Sequence, residues 1–404
     1  MMNESIDKKI ALFVMPNFYK HAKRMGGDRI EIFFNSDLFF SKVIIISIGD
    51  NSSRKQFGTL TVIELKTNNY RPRISYWFYK MFGYKCNFYK KVISIAREFK
   101  VDILIQRYGG IIVHGVPIVI AAKKLNLPSV VTVQNAYDES RFYSSHGFKR
   151  FARTIVEEPI ERFVLANTNK IWIVSKYLSK YVSKYGDFNN KTTAIYNKTD
   201  ERILYSIPKS SDKKVVDKIF SNIIFSDNVF LSVGRLIPQK NYEIMIKAFE
   251  YYLKLGNEGT YLIVGQGPEL VKHQDYIKKN GLCKNIIIIT DYLNIIQLGL
   301  LLKKSNALLF CSLFEGQGRV VYESLAFGTP VIGSDLGPIP EMLRHKSNGF
   351  LVNPFSIKDI TRGLLEFTIE KKKYNSEFCQ NSAKRFFIDH INKKEVTFYS
   401  EIFN

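Results

Sequence analysis

The stretch from Ala307 to Met342 constrains the chain more than any other. ALLFCSL (Ala307 to Leu313) is a short apolar run of buried-strand type, and VIG (Val331 to Gly333) begins a second. Between them Glu315, Gly316, Gln317 and Gly318 open a brief helix. Gly328 is placed to end it as a left-handed cap, and Pro330 cannot continue it. In an open parallel sheet the loop between a strand and the next helix sits at the strand's carboxyl end, where ligands bind. Glycines there let backbone N–H groups approach a phosphate, and Gly316 and Gly318 suit that role. Glu315 and Glu323, eight residues apart, would lie in the loop and two turns down the helix, both towards the opening. Carboxylates repel phosphate and accept hydrogen bonds from hydroxyls, so the pair suits the hydroxyl-rich part of a ligand.

The same alternation runs through the chain. KIALFVMP (Lys9 to Pro16), KVIIISIG (Lys42 to Gly49) and TLTVIEL (Thr59 to Leu65) read as strands, with Gly26 and Gly27 in a turn after the first. VDILIQRYGG (Val101 to Gly110) and PSVVTVQNAYD (Pro128 to Asp138) flank a helix over 119–127, a βαβ pattern that requires a parallel sheet. KIWIVS (Lys170 to Ser175) and TTAIYNKTD (Thr192 to Asp200) follow. A polar, Lys-rich and Ser-rich stretch over 201–228 separates these from a second series: VFLSVGRLIPQKN, TYLIVGQGPEL and NIIIITDYLN. Each of that series is a strand running into a loop, with Gly234 and Arg235, then Gly265 and Gly267, then Asp291 at the strand ends. The segment from Ile357 to Asn404 is helical by its spacing.

A chain of 404 residues favours two domains. The net charge is +22 and uneven: 32 basic against 16 acidic residues up to Asp200 leave that half at +16. Such a field suits phosphate-bearing ligands, an anionic membrane surface or nucleic acid, and biased composition is the plain alternative. Cys86, Cys283, Cys311 and Cys379 have no metal-ligand or redox spacing, which suits a reducing cytoplasm. No apolar run reaches the ~20 residues of a membrane span, and no targeting segment stands out.

The stretch Tyr70 to Lys100 holds eight Lys or Arg against the single acid Glu98, with apolar residues at helical spacing. It reads as one or two basic amphipathic helices. They would lie against anionic lipid headgroups at the inner face of a membrane, or pack on their own sheet with solvated cations. Single-stranded nucleic acid fits less well, because no nucleic-acid-binding motif accompanies the stretch, and no nucleic-acid partner is expected.

Glu315-x7-Glu323 with its GTPVIGSDLGPIPE continuation, followed by NGFLVNP (Asn348 to Pro354), resembles the signature of retaining glycosyltransferases of family 4. The match is specific over the C-terminal half and loose over the N-terminal half. The resemblance implies the GT-B fold: two doubly wound Rossmann-like domains facing across a cleft, the last helix crossing back to the first domain. The expected division is 1–205 for acceptor binding, 206–385 for the nucleotide-sugar, and 386–404 for the returning helix.

By that resemblance Arg235 and Lys240, in GRLIPQKN, neutralise a departing diphosphate, and Glu315 orients the donor sugar. Glu323 takes ribose hydroxyls, while Gly234, Gly265, Gly267, Gly316, Gln317, Gly318 and Asp291 line the donor. Gly26, Gly27, Gln134 and Asn135 are on the acceptor side. Gln134 and Asn135 stand where the family carries a histidine, and Lys198 stands where it carries a glycine. The implied reaction moves a sugar from a nucleoside-diphosphate sugar to a hydroxyl of a glycan or lipid-linked glycan in surface-polysaccharide assembly. No metal or other cofactor is expected. An epimerase or phosphorylase on the same scaffold, and a basic nucleic-acid-binding protein, are the alternatives.

Overall fold

The computed structural model describes residues 9–16, 18, 31, 33–49, 52–66, 88–108, 110–144, 147–221, 223, 224 and 227–404. The chain forms two compact units, one of Met1–Tyr196 with Asp389–Asn404, the other of Asn197–Ile388.

The first unit is built on β1 (Ile10–Pro16), β2 (Lys42–Gly49), β3 (Ser53–Phe57), β4 (Leu60–Lys66), β5 (Ile103–Gln106), β6 (Ser129–Val133), β7 (Lys170–Ile173) and β8 (Thr192–Ala194). Their order is β3-β4-β2-β1-β5-β6-β7-β8, parallel throughout except for the antiparallel pair β3–β4. β3 is the polar run SRKQF, which has no apolar alternation to mark it as a strand. It pairs on one side only, and an edge strand tolerates exposed charge. β1 is wholly apolar and β5 apolar but for Gln106, and every residue of β6 is buried, because a parallel sheet is covered on both faces.

The helix Phe88–Glu98 buries Phe88, Val92, Ile95 and Ala96 in a core with Leu12, Ile44 and Leu104. The apolar side of this part of the basic stretch therefore packs on its own sheet and is not a lipid-facing surface. Residues 67–87, which carry the rest of that expectation, lie outside the described residues.

The helix Ile388–Phe403 closes the first unit. Tyr399 packs on the rings of Phe40 at 5.0 Å and Phe39 at 5.8 Å. Arg107, at the end of β5, donates to Glu395 Oε1 at 2.8 Å and to the Tyr399 hydroxyl at 3.3 Å, with its guanidinium 3.9 Å from the Trp172 ring. Glu395 also accepts from Ser36 Oγ. Arg107 and Glu395 are 3% and 2% exposed in their side chains, so the pair is desolvated as well as hydrogen-bonded.

The second unit carries β9 (Val229–Val233), β10 (Thr260–Val264), β11 (Ile286–Ile289), β12 (Ala307–Phe310), β13 (Val331–Ser334) and β14 (Gly349–Val352). They form an all-parallel sheet ordered β11-β10-β9-β12-β13-β14. The helices Tyr242–Lys254 and Ile357–Glu370 pack together over one apolar core with Phe230, Tyr261 and Phe367.

The unit begins at Asn197, earlier than the boundary expected at 205/206. The reason is local: the Asn197 N–H donates to Gln317 Oε1 at 2.7 Å, and Tyr205 packs on Phe387 at 6.1 Å. The polar stretch over 201–228 also contains the helix Ser210–Phe220, whose buried Asp212 accepts from Asn294 Nδ2 at 3.1 Å. A stretch read as a linker is thus part of the second unit. Among the described residues no helix is long and apolar enough to cross a membrane.

Candidate active site

β9 and β12 are neighbours, yet the chain leaves β9 towards β10 on one side and leaves β12 towards β13 on the other. The sheet order therefore reverses between them. At such a point the two outgoing loops diverge and leave a crevice beyond the carboxyl ends of the strands. The loop after β9 contains Gly234, Arg235 and Lys240, and the loop after β12 contains Glu315 to Gly318.

Two amides fix these loops against each other. Gln239 donates its side-chain N–H to the Phe314 carbonyl at 2.8 Å, and its backbone carbonyl accepts the Leu313 N–H at 2.9 Å. Asn241, buried, donates to the carbonyls of Cys311 at 3.1 Å and Pro354 at 2.7 Å. Asn241 has φ +60° at the start of the helix Tyr242–Lys254, a left-handed conformation that asparagine tolerates better than most residues. The turn Pro238–Lys240, which contains Gln239 and precedes Asn241, presents Lys240 to Glu315.

Lys240 Nζ lies 2.5 Å from Glu315 Oε1, and the side chains are 17% and 12% exposed. The ammonium also sits 4.9 Å from the Phe310 ring centroid. The Glu315 charge reaches the core: burial foremost, then Glu315, pushes the Tyr242 phenol well up. Arg235 is exposed and makes no ion pair among the described residues. One cation of the expected pair is thus engaged with the expected sugar-binding carboxylate, and the other is available to an incoming anion.

Gly318 has φ +81° and begins the helix Arg319–Ala326. The left-handed conformation there disfavours a side chain, and a Cβ would also press on Ile339 Cδ1 at 2.7 Å. Gly265 is required by proximity: a Cβ would lie 1.9 Å from the Gly234 carbonyl oxygen. The turn after β10 is pressed onto the loop after β9, and Gly267 follows in the same turn, against Leu236. Gln317 is buried and holds Asn197, which makes it an internal tie. Glu323 is 8% exposed and paired with Arg319 Nη2 at 3.2 Å.

Asp291 is exposed beyond the edge strand β11. Gln134 and Asn135 belong to the first unit, half-buried after β6, and Asn135 Oδ1 accepts the Ala136 N–H at 3.0 Å. Gly26 and Gly27 lie outside the described residues. The structure thus gathers Gly234, Arg235, Lys240, Glu315, Gly316 and Gly318 around the divergence of β9 and β12. Sequence reasoning missed Gln239 and Asn241, although both lie within the GRLIPQKN segment. An amide following a proline turn and directly preceding a helix was the available signal.

Two family models divide the chain between them. Glycosyltransferase Family 4 matches residues 43–202, and Glycosyl transferases group 1 matches residues 217–385. The chain belongs to the family-4-type glycosyltransferases. The enzyme is 26% identical over 308 residues to an uncharacterized glycosyltransferase of Methanocaldococcus jannaschii, covering 68% of this chain and 69% of that one. It is 23% identical over 334 residues to the alpha-monoglucosyldiacylglycerol synthase of Streptococcus pneumoniae, covering 81% and 73%. Its fold matches that of Anabaena HepE in complex with UDP and glucose, with a TM-score of 0.70 at 19% identity over 97% of this chain and 100% of that one. The glycosyltransferase has the GT-B fold of two Rossmann-like units, and its activity is transfer of a glycosyl group.

Proposed function

We propose that this glycosyltransferase takes a nucleoside-diphosphate sugar in the crevice beyond β9 and β12 and transfers the sugar, with retention at the anomeric carbon, to a hydroxyl of a glycan or lipid-linked glycan. The observation that carries the reading is the Lys240–Glu315 pair beside the unpaired Arg235 at the point where the strand order reverses. The UDP named with HepE and the glycolipid product named for the streptococcal relative support the donor and acceptor classes.

Breaking the glycosidic bond to a diphosphate places negative charge on the leaving oxygen. Arg235 can meet the pyrophosphate with two parallel N–H donors, and Lys240 adds a point charge. Both cations, and the amides of the loop at Gly316, are positioned before the charge develops, which is where electrostatic stabilisation lowers a barrier most. With two cations in place the reaction needs no metal. Glu315 accepts hydrogen bonds from donor-sugar hydroxyls and fixes the anomeric carbon, while Lys240 fixes Glu315. Glu323 is the counterpart for the ribose hydroxyls. The place in metabolism is assembly of a surface polysaccharide or glycolipid.

Thermal unfolding of the protein with a panel of nucleoside diphosphates and nucleotide-sugars tests the reading. Stabilisation by one nucleotide, lost in Arg235→Ala, is expected. No stabilisation by any of them, with both proteins folded, overturns it.

A further inference from the structure

The helix Gly147–Asn167 of the first unit is arranged against the usual sense. Its inward side holds Val164 and Leu165 together with two carboxylates: Glu157, which pairs with Arg153 at 3.1 Å, and the fully buried Glu161, which accepts from the Tyr185 hydroxyl. Its outward side holds Phe148, Phe151, Ile155 and Phe163, which are 83%, 62%, 56% and 44% exposed, with the exposed Pro159 between the last two. Spacings of three and four residues put these five on one stripe, about 22 Å long at 1.5 Å per residue. Phe142 of the preceding helix, also exposed, extends it. Single exposed apolar residues are ordinary, but a continuous stripe this long on a helix that turns acids inward is not.

We infer that this stripe is a membrane-docking surface, and that its occupant is the interfacial layer of an anionic lipid bilayer. An amphipathic helix lying in the plane of that layer presents large apolar residues to the acyl boundary and cations to the headgroups. The flanking charges fit: Arg150 lies over the Phe142 ring at 4.8 Å, and the exposed Arg162 donates to the Tyr185 carbonyl at 3.0 Å. Neither is ion-paired among the described residues; Glu157 and Glu161 are buried, and the half-buried Glu158 lies at the margin of the stripe. The +16 excess of the first 200 residues has the same sign. The inference rests on the proposed lipid-linked acceptor for its purpose, since a docked enzyme meets such an acceptor where it resides.

The test is co-sedimentation with phosphatidylglycerol and with phosphatidylcholine vesicles, comparing the native protein with a Phe148→Ser, Phe151→Ser, Ile155→Ser variant. Unfolding temperature, oligomeric state and stabilisation by nucleotide are read on both proteins. The expected result is salt-sensitive binding to phosphatidylglycerol vesicles, about tenfold weaker or more in the variant, with unfolding temperature and nucleotide response unchanged. The inference is overturned if the variant sediments like the native protein, or if the native protein binds neither vesicle. It is equally overturned if the substitutions lower the unfolding temperature or dissolve a dimer, since the stripe is then covered by protein. If vesicle binding behaves as expected while no nucleotide stabilises either protein, the surface stands and the proposed function fails.

Discussion

Both units are parallel sheets between helices, but they use their polar groups differently. In the second unit the partly buried charges Lys240 and Glu315 stand at the strand ends, where the crevice forms, with Arg235 exposed in the same loop. In the first, the most deeply buried ion pair, Arg107–Glu395, joins the end of β5 to the helix Ile388–Phe403. The charges of one unit stand at the strand ends where the sheet order reverses, and those of the other lock in a helix from a distant part of the sequence. Buried charge therefore does not locate a site by itself; what the charge faces decides.

That contrast can be broken by exchanging what each pair affects. Arg107→Ala leaves Glu395 buried without its ion-pair partner, and an expected loss of about 3–5 kcal/mol of stability will show in urea unfolding. A loss of catalysis from a fully folded Arg107→Ala protein would erase the distinction. Glu315→Ala should weigh the other way: an expected fall of roughly 10²–10³-fold in kcat in a transfer assay, with a smaller loss of stability than Arg107→Ala because the stranded Lys240 is less deeply buried. Gly265→Ala sits between the two. Its Cβ must displace the Gly234 carbonyl, and about 1–3 kcal/mol of strain should appear together with a raised donor KM.

The remaining effect concerns acid. His114, buried in the turn Ile111–Gly115 after β5, has its pKa lowered to about 4 by burial. The unfolded chain binds the proton more readily, with a pKa of about 6.5. Stability is therefore complete above that value and falls as pH drops towards 4, by no more than about 1.4 kcal/mol per unit. His114→Gln should flatten that slope between pH 5 and 7 in urea titrations. An unaltered slope would show that the first unit's acid response lies elsewhere.

The apolar strands were legible because a run such as ALLF or VIIISI admits little else, and so were the glycine loops that follow them. SRKQF was not, since its strand character comes from pairing with β4 and not from its residues. The helix Ser210–Phe220 was missed because its few apolar residues, such as the buried Val216, are outnumbered by charges. Arg235, Lys240 and Glu315 were singled out by motif, and the structure places them in the two loops that leave β9 and β12. That Lys240 and Glu315 touch was not legible, because residues 75 positions apart meet only through Gln239 and Asn241. The outward stripe of Gly147–Asn167 was also hidden: a helix apolar on two sides does not say from its sequence which side the protein covers.

The return of Ile388–Phe403 to the first unit has a consequence for synthesis. The second unit is one uninterrupted segment, Asn197–Ile388, complete as soon as its last residue has been made. The first unit lacks Glu395 and Tyr399 until the second unit has been translated, so Arg107 has no counter-ion before then. On the ribosome the half made first is the half finished last.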